Sequence, residues 1–276
     1  MEYSLYLVGS RARGDENVNS DIDYVCIYDK VKPSLDLPMG SVSYYSIPRM
    51  EWMIKNSKLF VAHLINEGKP LIERETHRQL LSSFVLDVDI LRQDRAEFVR
   101  CLSSLDWIPP GISGLRWACD YIYTISRNII YISNALDGYF QFGYIDAVSN
   151  FLKQRSRKDL LPAFIRLRDE KYKYRTGDLE SSDFDITLLN GISSMLSGLH
   201  ISLVTGGVSN LGYHEKFSYE ILRLLERAIV NGEVDDVDYI QKLQNHGEYF
   251  FALRESARSL CTKLQYACDN FHPKLA

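Results

Sequence analysis

A short apolar run that ends in Gly-Ser, followed by a strand that opens on Asp-x-Asp, constrains this chain more than any other feature. The first half reads Leu7-Val8-Gly9-Ser10-Arg11-Ala12-Arg13-Gly14 and the second Ser20-Asp21-Ile22-Asp23-Tyr24. Residues 3–8 are aromatic and aliphatic, which predicts a strand stopped at Gly9-Ser10. Residues 22–28 predict a second strand. Side chains alternate along a strand, so Asp21 and Asp23 share one face. Two neighbouring carboxylates repel unless a cation stands between them. Hard oxygen donors suit Mg²⁺, which takes one or two carboxylates together with substrate phosphates. Gly9 lets a ligand approach the backbone closely. The N–H groups after Ser10 open a short predicted helix, where phosphate is favoured. Arg11 and Arg13 add positive charge, and the 12 positions from Gly9 to Asp21 suffice for one short helix and a return loop.

The remaining pattern divides the chain. Residues 32–40 hold two prolines and a glycine and predict a loop, and 42–47 predict a third strand closed by Pro48. The period then changes. Ser57 is placed as the N-cap of a helix carrying Leu59, Phe60, His63 and Leu64 and ending at Gly68. From about residue 95 the spacing is helical. Leu115, Ala118, Ile122, Ile125, Ile129, Ile132 and Leu136 step alternately by three and four, an apolar stripe on a helix of about six turns. Further helices are predicted at 145–155, 158–175, 219–230 and 248–270. The expected class is α+β: a small mixed sheet with flanking helices over 1–92, then an all-helical domain over 93–276.

With these residues in view, the segment resembles the nucleotidyltransferases of the DNA polymerase β superfamily, in their minimal bacterial form. Their signature is an apolar residue, Gly, Gly or Ser, about ten residues, then Asp-x-Asp or Asp-x-Glu. It stands here as Val8-Gly9-Ser10 and Asp21-Ile22-Asp23, with the arginines and Ser20 also in agreement, over roughly residues 3–72. The resemblance implies that Gly9, Ser10 and Arg13 hold a nucleoside triphosphate and that Asp21 and Asp23 bind Mg²⁺ as the catalytic pair. It also implies a third carboxylate on a later strand. Residues 42–47 contain no acid. The segment 84–90 alternates strictly and, as a strand, would set Asp87 and Asp89 together on one side, although solvated surface acids explain the same pattern.

The implied reaction moves a nucleoside monophosphate from an NTP or dNTP to an acceptor hydroxyl. The acceptor is left open between a nucleic-acid or oligonucleotide end, a small molecule as in the aminoglycoside nucleotidyltransferases, and a protein hydroxyl, including one of the chain's own 18 tyrosines or an operon partner. By resemblance the setting is a bacterial toxin–antitoxin or antiviral defence operon. The rival from another class is a catalytically degenerate protein that binds a nucleotide or a partner.

Composition trims these options. With 32 basic and 36 acidic residues the net charge is −4, which excludes a uniformly basic nucleic-acid coat. Residues 153–175 are a local exception, with nine basic against three acidic side chains and three interleaved aromatics, with Phe151 just ahead. Such a mixture can track a phosphate backbone, or form a solvated helix face. Five cysteines without CxxC spacing argue against zinc or a disulfide framework and for reduced thiols in a cytoplasmic protein. No apolar run reaches membrane-spanning length, and residues 1–8 carry no signal-peptide pattern. His63, on the apolar side of its helix, is expected to be a buried, satisfied histidine.

Overall fold

A computed structural model describes residues 2–16, 22–37, 40–176, 184–209 and 219–233. Asp21 and the helix expected over 248–270 lie outside the described residues. Strand β1 (Tyr3–Val8) leads straight into the short helix α1 (Gly9–Arg13). Strands β2 (Asp23–Tyr28) and β3 (Ser41–Ser46), helices α2 (Ile47–Lys55) and α3 (Leu59–Glu67), strand β4 (Lys69–Ile72) and helix α4 (Glu75–Ser82) follow. The four strands form one mixed sheet in the order β3-β2-β1-β4. β1 runs antiparallel to β2 and β4, and β2 runs parallel to β3. The described residues between β2 and β3 contain no helix, and Lys32 among them sits over the ring of Tyr44.

One face of the sheet carries the core. Tyr6 and Val8 of β1 and Val25 and Ile27 of β2 pack with Met50 and Met53 of α2, Val61 and Leu64 of α3, and Leu81 of α4. Burying such a side chain is worth about 1.5–3 kcal/mol, so this cluster anchors the sheet on its helices. Polar contacts close one end of the sheet. Ser4, fully buried on β1, accepts the Arg74 N–H at 2.9 Å and lies 2.9 Å from His77 Nδ1. His77 Nε2 donates to Asp29 at 2.7 Å, and Arg74 also pairs with Asp29.

Two local expectations are corrected. Ser57 does not cap α3. It takes a left-handed φ of 46°, and Lys58 is the cap residue. The Ser57 hydroxyl instead accepts the Asp87 N–H at 2.8 Å and faces the Val85 carbonyl at 3.4 Å. Residues 84–90 do not form a strand. Helix α5 (Val88–Ser103) begins there, and the Asp87 carboxylate accepts the N–H groups of Asp89 and Ile90 at 2.9 and 3.1 Å. An aspartate that can satisfy the first free amides of a helix outweighs a short alternation with no strand to pair it. Asp89 forms an exposed pair with Arg92.

The chain separates into two compact units, residues 1–98 with 127–158, and 99–126 with 159–276. They are not consecutive in sequence, whereas the linear reading divides the chain once, at 92/93. The boundaries fall inside α5 and inside the 26-residue helix α6 (Gly111–Leu136). In the first unit Leu91, Ile132 and Ala135 form a second apolar cluster with Leu59, Leu86, Phe98 and Phe140 around it, and α7 (Tyr144–Gln154) follows.

Among the described residues the second unit holds α8 (Leu161–Thr176), α9 (Ile186–Ser197) and α10 (Tyr219–Val230), together with a two-residue parallel pair, β5 (Trp107–Ile108) with β6 (Val204–Thr205). Its part of α6 is buried well beyond a stripe, because Arg116, Trp117, Asp120 and Tyr121 are enclosed as well. The Asp120 carboxylate, 1% exposed, accepts Arg175 Nε at 2.7 Å and lies 2.8 Å from Arg223 Nη1. Arg223 Nη1 also stands 2.7 Å from Glu226, which accepts the Tyr174 hydroxyl at 2.6 Å. Arg116 pairs with Glu170 at 3.1 Å. Burial raises the Glu226 carboxyl. Burial would also raise Asp120, but Arg223 and Arg175 outweigh it and hold that carboxyl below the ordinary value.

Candidate active site

The antiparallel register of β1 and β2 builds the site. Val8 pairs with Asp23, so Gly9, the next residue, stands beside the first residue of β2. The two halves of the sequence motif therefore meet through strand pairing alone. Gly9 has φ 76°, and a Cβ there would lie 3.4 Å from Asp23 Oδ2. Glycine thus serves twice, by adopting a left-handed backbone and by leaving the carboxylate uncrowded. From Gly9 the chain turns into α1, which has no side-chain cap at its start and closes where the Ser10 carbonyl accepts the N–H groups of Gly14 and Asp15 at 2.8 and 3.1 Å.

Asp23 lies on the same face as Val25 and Ile27 but half-exposed at the strand's first position. The parallel register with β3 pairs it with Ser41. The Ser41 hydroxyl donates to Asp23 Oδ1 at 2.8 Å. Ser41 is thus the β3 side chain bonded to Asp23, and no acid stands in that strand.

Arg13 is not a loose cation. Its Nη1 donates to Glu67 at 3.0 Å and its Nε lies 3.2 Å from the Asp15 carboxylate. Burial works against its charge, yet the two acids more than offset this and raise its pKa. Glu67, the last residue of α3, also accepts the Phe142 N–H at 2.9 Å and stands 3.3 Å from His63 Nε2. Burial alone would raise the Glu67 carboxyl, but His63, the Phe142 amide and Arg13 hold it below the ordinary glutamate value. His63 is therefore half-buried beside Glu67 and packed between the rings of Phe60 and Phe142, rather than a fully buried core histidine.

Sequence reasoning missed Ser41, Glu67 and Phe142. The His63–Glu67 spacing of four on one helix, ahead of Gly68, was a usable signal. Nothing local could announce contacts spanning 54 and 75 residues.

The donor chemistry fits Mg²⁺. Asp23 offers hard oxygens, one of them oriented by a neighbouring hydroxyl, as ligating carboxylates commonly are. Among the described residues no group of three or more His, Cys, Asp or Glu side chains is assembled for a metal.

The basic segment is partly spent on internal contacts. Arg155 lies over the Phe151 ring in the first unit. In the second, Lys171 lies over Tyr172, Lys173 pairs with Glu170, and Arg175 pairs with Asp120. No helix among the described residues is long and apolar enough to cross a membrane. Comparison with curated proteins returned no match. A family model described as a nucleotidyltransferase domain matches residues 2–105, the segment that holds β1 to α5. Residues 2–105 thus match a nucleotidyltransferase domain, consistent with the polymerase β-like kind, and Gly9 and Asp23 are apposed at its first strand pair.

Proposed function

We propose that the chain is a Mg²⁺-dependent nucleotidyltransferase that moves a nucleoside monophosphate from an NTP or dNTP to an acceptor hydroxyl. The apposition of Gly9 with the Asp23 carboxylate carries this reading, because it sets a backbone turn suited to phosphate beside a hard-oxygen ligand. Gly9, Ser10 and Arg13 take the triphosphate. Asp21 and Asp23 hold Mg²⁺, which when bound neutralises phosphate charge and aligns the attacking and leaving oxygens. The acceptor hydroxyl gives up its proton to solvent as its oxygen bonds to the α-phosphorus, the bond from the α-phosphorus to the α–β bridging oxygen breaks, and pyrophosphate departs on the side of the Gly9-Ser10 turn.

The internal pairing of Lys173 and Arg175 favours a small-molecule or protein hydroxyl over a nucleic-acid strand, since these cations are already used. Tyr139 and Tyr172 are the exposed tyrosines among the described residues and are the first candidates for self-modification. A phenol is a better acceptor than an alcohol because its pKa lies near ~10. Cys26, Cys101 and Cys119 form no disulfide, which suits a cytoplasmic setting, and a defence or toxin–antitoxin operon is the proposed context.

A second reading, binding without turnover, is favoured by Ser41 beside Asp23 where an acid would serve a catalyst. Incubation with each labelled NTP and dNTP plus Mg²⁺, read by pyrophosphate release and intact mass, separates the two. Release that disappears in Asp21→Ala/Asp23→Ala supports transfer. Mg²⁺-dependent binding of every triphosphate without release supports the second reading.

A further inference from the structure

Glu67 gathers more of the motif's surroundings than any residue the sequence singles out. Its carboxylate is 13% exposed and meets Arg13 of α1, His63 of its own helix and the Phe142 N–H. The Phe142 end is itself held. The Tyr131 hydroxyl donates to the Phe142 carbonyl at 2.7 Å, and the Phe142 ring lies 4.9 Å from His63. Next in the chain, Gly143 lies beside the same pair, since a Cβ there would stand in ordinary contact with Arg13 Nε at 3.4 Å and Asp15 at 3.5 Å. Residues 131–143 belong to the same compact unit as the sheet, yet they lie beyond the matched segment 2–105.

An arginine has a long side chain whose rotamer freedom must be given up when it binds phosphate. Here that freedom is already restricted by Glu67 on one side and Asp15 on the other. The same two acids also offset part of the positive charge. These effects oppose each other on removal of Glu67: loss of orientation weakens triphosphate binding, whereas loss of a countercharge strengthens it. A planar guanidinium recognises phosphate through directed N–H groups, so orientation outweighs the charge offset at contact distance.

We propose that Glu67 is the positioning residue for Arg13, and that the Phe142–Gly143 turn completes the nucleotide site by seating the Glu67 carboxylate. The inference rests on the assignment of Arg13 to the triphosphate made above.

The test is calorimetric titration of the full chain with Mg²⁺ and a triphosphate whose α–β bridge cannot be hydrolysed, with melting temperatures measured on the same samples. Glu67→Ala should weaken binding about tenfold, the scale of one charge-assisted hydrogen bond. The milder Glu67→Gln should also weaken it, because one of its two seats then faces an amide NH₂. In turnover assays KM for the triphosphate should rise while kcat holds. In an Arg13→Ala background, Glu67→Ala should cost no further affinity yet still lower the melting temperature through the lost Phe142 bond.

Unchanged or tighter binding in the Glu67 variants overturns the proposal and makes Glu67 a structural or countercharge group. So does an undiminished affinity loss in the Arg13→Ala background, which would route the effect around Arg13. If Arg13→Ala alone binds as well as wild type, this inference fails while the transferase reading stands. If the wild type binds no triphosphate, both fail.

Discussion

In the N-terminal unit the charged side chains stand at the rim of an apolar core, whereas in the helical unit they stand inside it. Beneath the sheet, Tyr6, Val25, Ile27, Met50 and Val61 exclude charge altogether, and Asp23, Arg13 and Glu67 lie at the strand and helix ends. Around the first half of α6, by contrast, Asp120, Arg223 and Glu226 are all buried and depend on one another, and Arg116 is buried against Glu170. A half-exposed rim charge such as Asp23 keeps access to water and to ligand, so its worth is chemical and its removal is cheap for the fold. A buried charge has surrendered its hydration and is tolerable only while its partners remain. The same residue types thus mark a candidate site in one unit and a packing specification in the other.

The largest effect expected from this contrast is chemical. Asp23→Ala should lower nucleotidyl transfer by about 10²–10⁴-fold, the range for loss of a group acting directly on the reacting atoms. Its unfolding free energy should stay within about 1 kcal/mol of wild type, since a half-exposed, like-charged position is relieved rather than broken. Denaturant unfolding beside a pyrophosphate assay checks both halves, and retained transfer would break the comparison at its first term.

Asp120→Ala should behave in the opposite sense. Removing it leaves Arg223 and Arg175 without their shared carboxylate, at a cost of about 3–5 kcal/mol. A denaturation midpoint as high as that of Asp23→Ala would show that the network is not a structural necessity.

Gly9→Ala should fall between these in kind. The left-handed φ of 76° costs about 1–2 kcal/mol with any other L residue, and the new methyl comes into contact with Asp23 Oδ2. Weaker triphosphate binding together with a modestly lower melting temperature is expected, and loss of stability without loss of binding would detach Gly9 from the site.

The smallest effects are expected from pH, and they differ in sign. His77, then Arg74, hold Asp29 below its ordinary value of 3.8. A depressed carboxyl contributes stability above its unfolded pKa and loses it as pH falls through the folded one. Burial places Glu226 above its ordinary 4.5, so the folded state binds the extra proton, and stability declines as pH rises from that value through the raised one. Asp29→Asn should reduce the loss of stability on acidification below about pH 4, and Glu226→Gln should remove the decline on the alkaline side of that point. Melting temperatures across this window test each variant, and identical slopes in all three proteins would deny the distinction.

Much of the N-terminal unit was legible because its signals are local. The strand ending at Gly9, the strand opening near Asp23 and the helix ending at Gly68 are each announced by a few neighbouring residues. The pattern failed where a side chain had two competing uses. Ser57 and Asp87 both look like caps or face markers, and only the fold shows that Ser57 ties down residues 85–87 while Asp87 caps α5. Likewise the three–four spacing along α6 located the helix but concealed Arg116 and Asp120, whose burial depends on partners 50 and more residues away.

What the amino-acid sequence determined by itself was the kind of domain at the front of the chain and the residues of its motif, because strand alternation, turn chemistry and the pairing of carboxylates act over a few positions. Tertiary structure alone decided that Val8 pairs with Asp23, that Ser41 holds the Asp23 carboxylate, and that Glu67 joins Arg13 to Phe142. It also decided that residues 127–158 share a unit with the sheet. These are long-range juxtapositions, set by strand register and core packing, and no short stretch of sequence contains both partners.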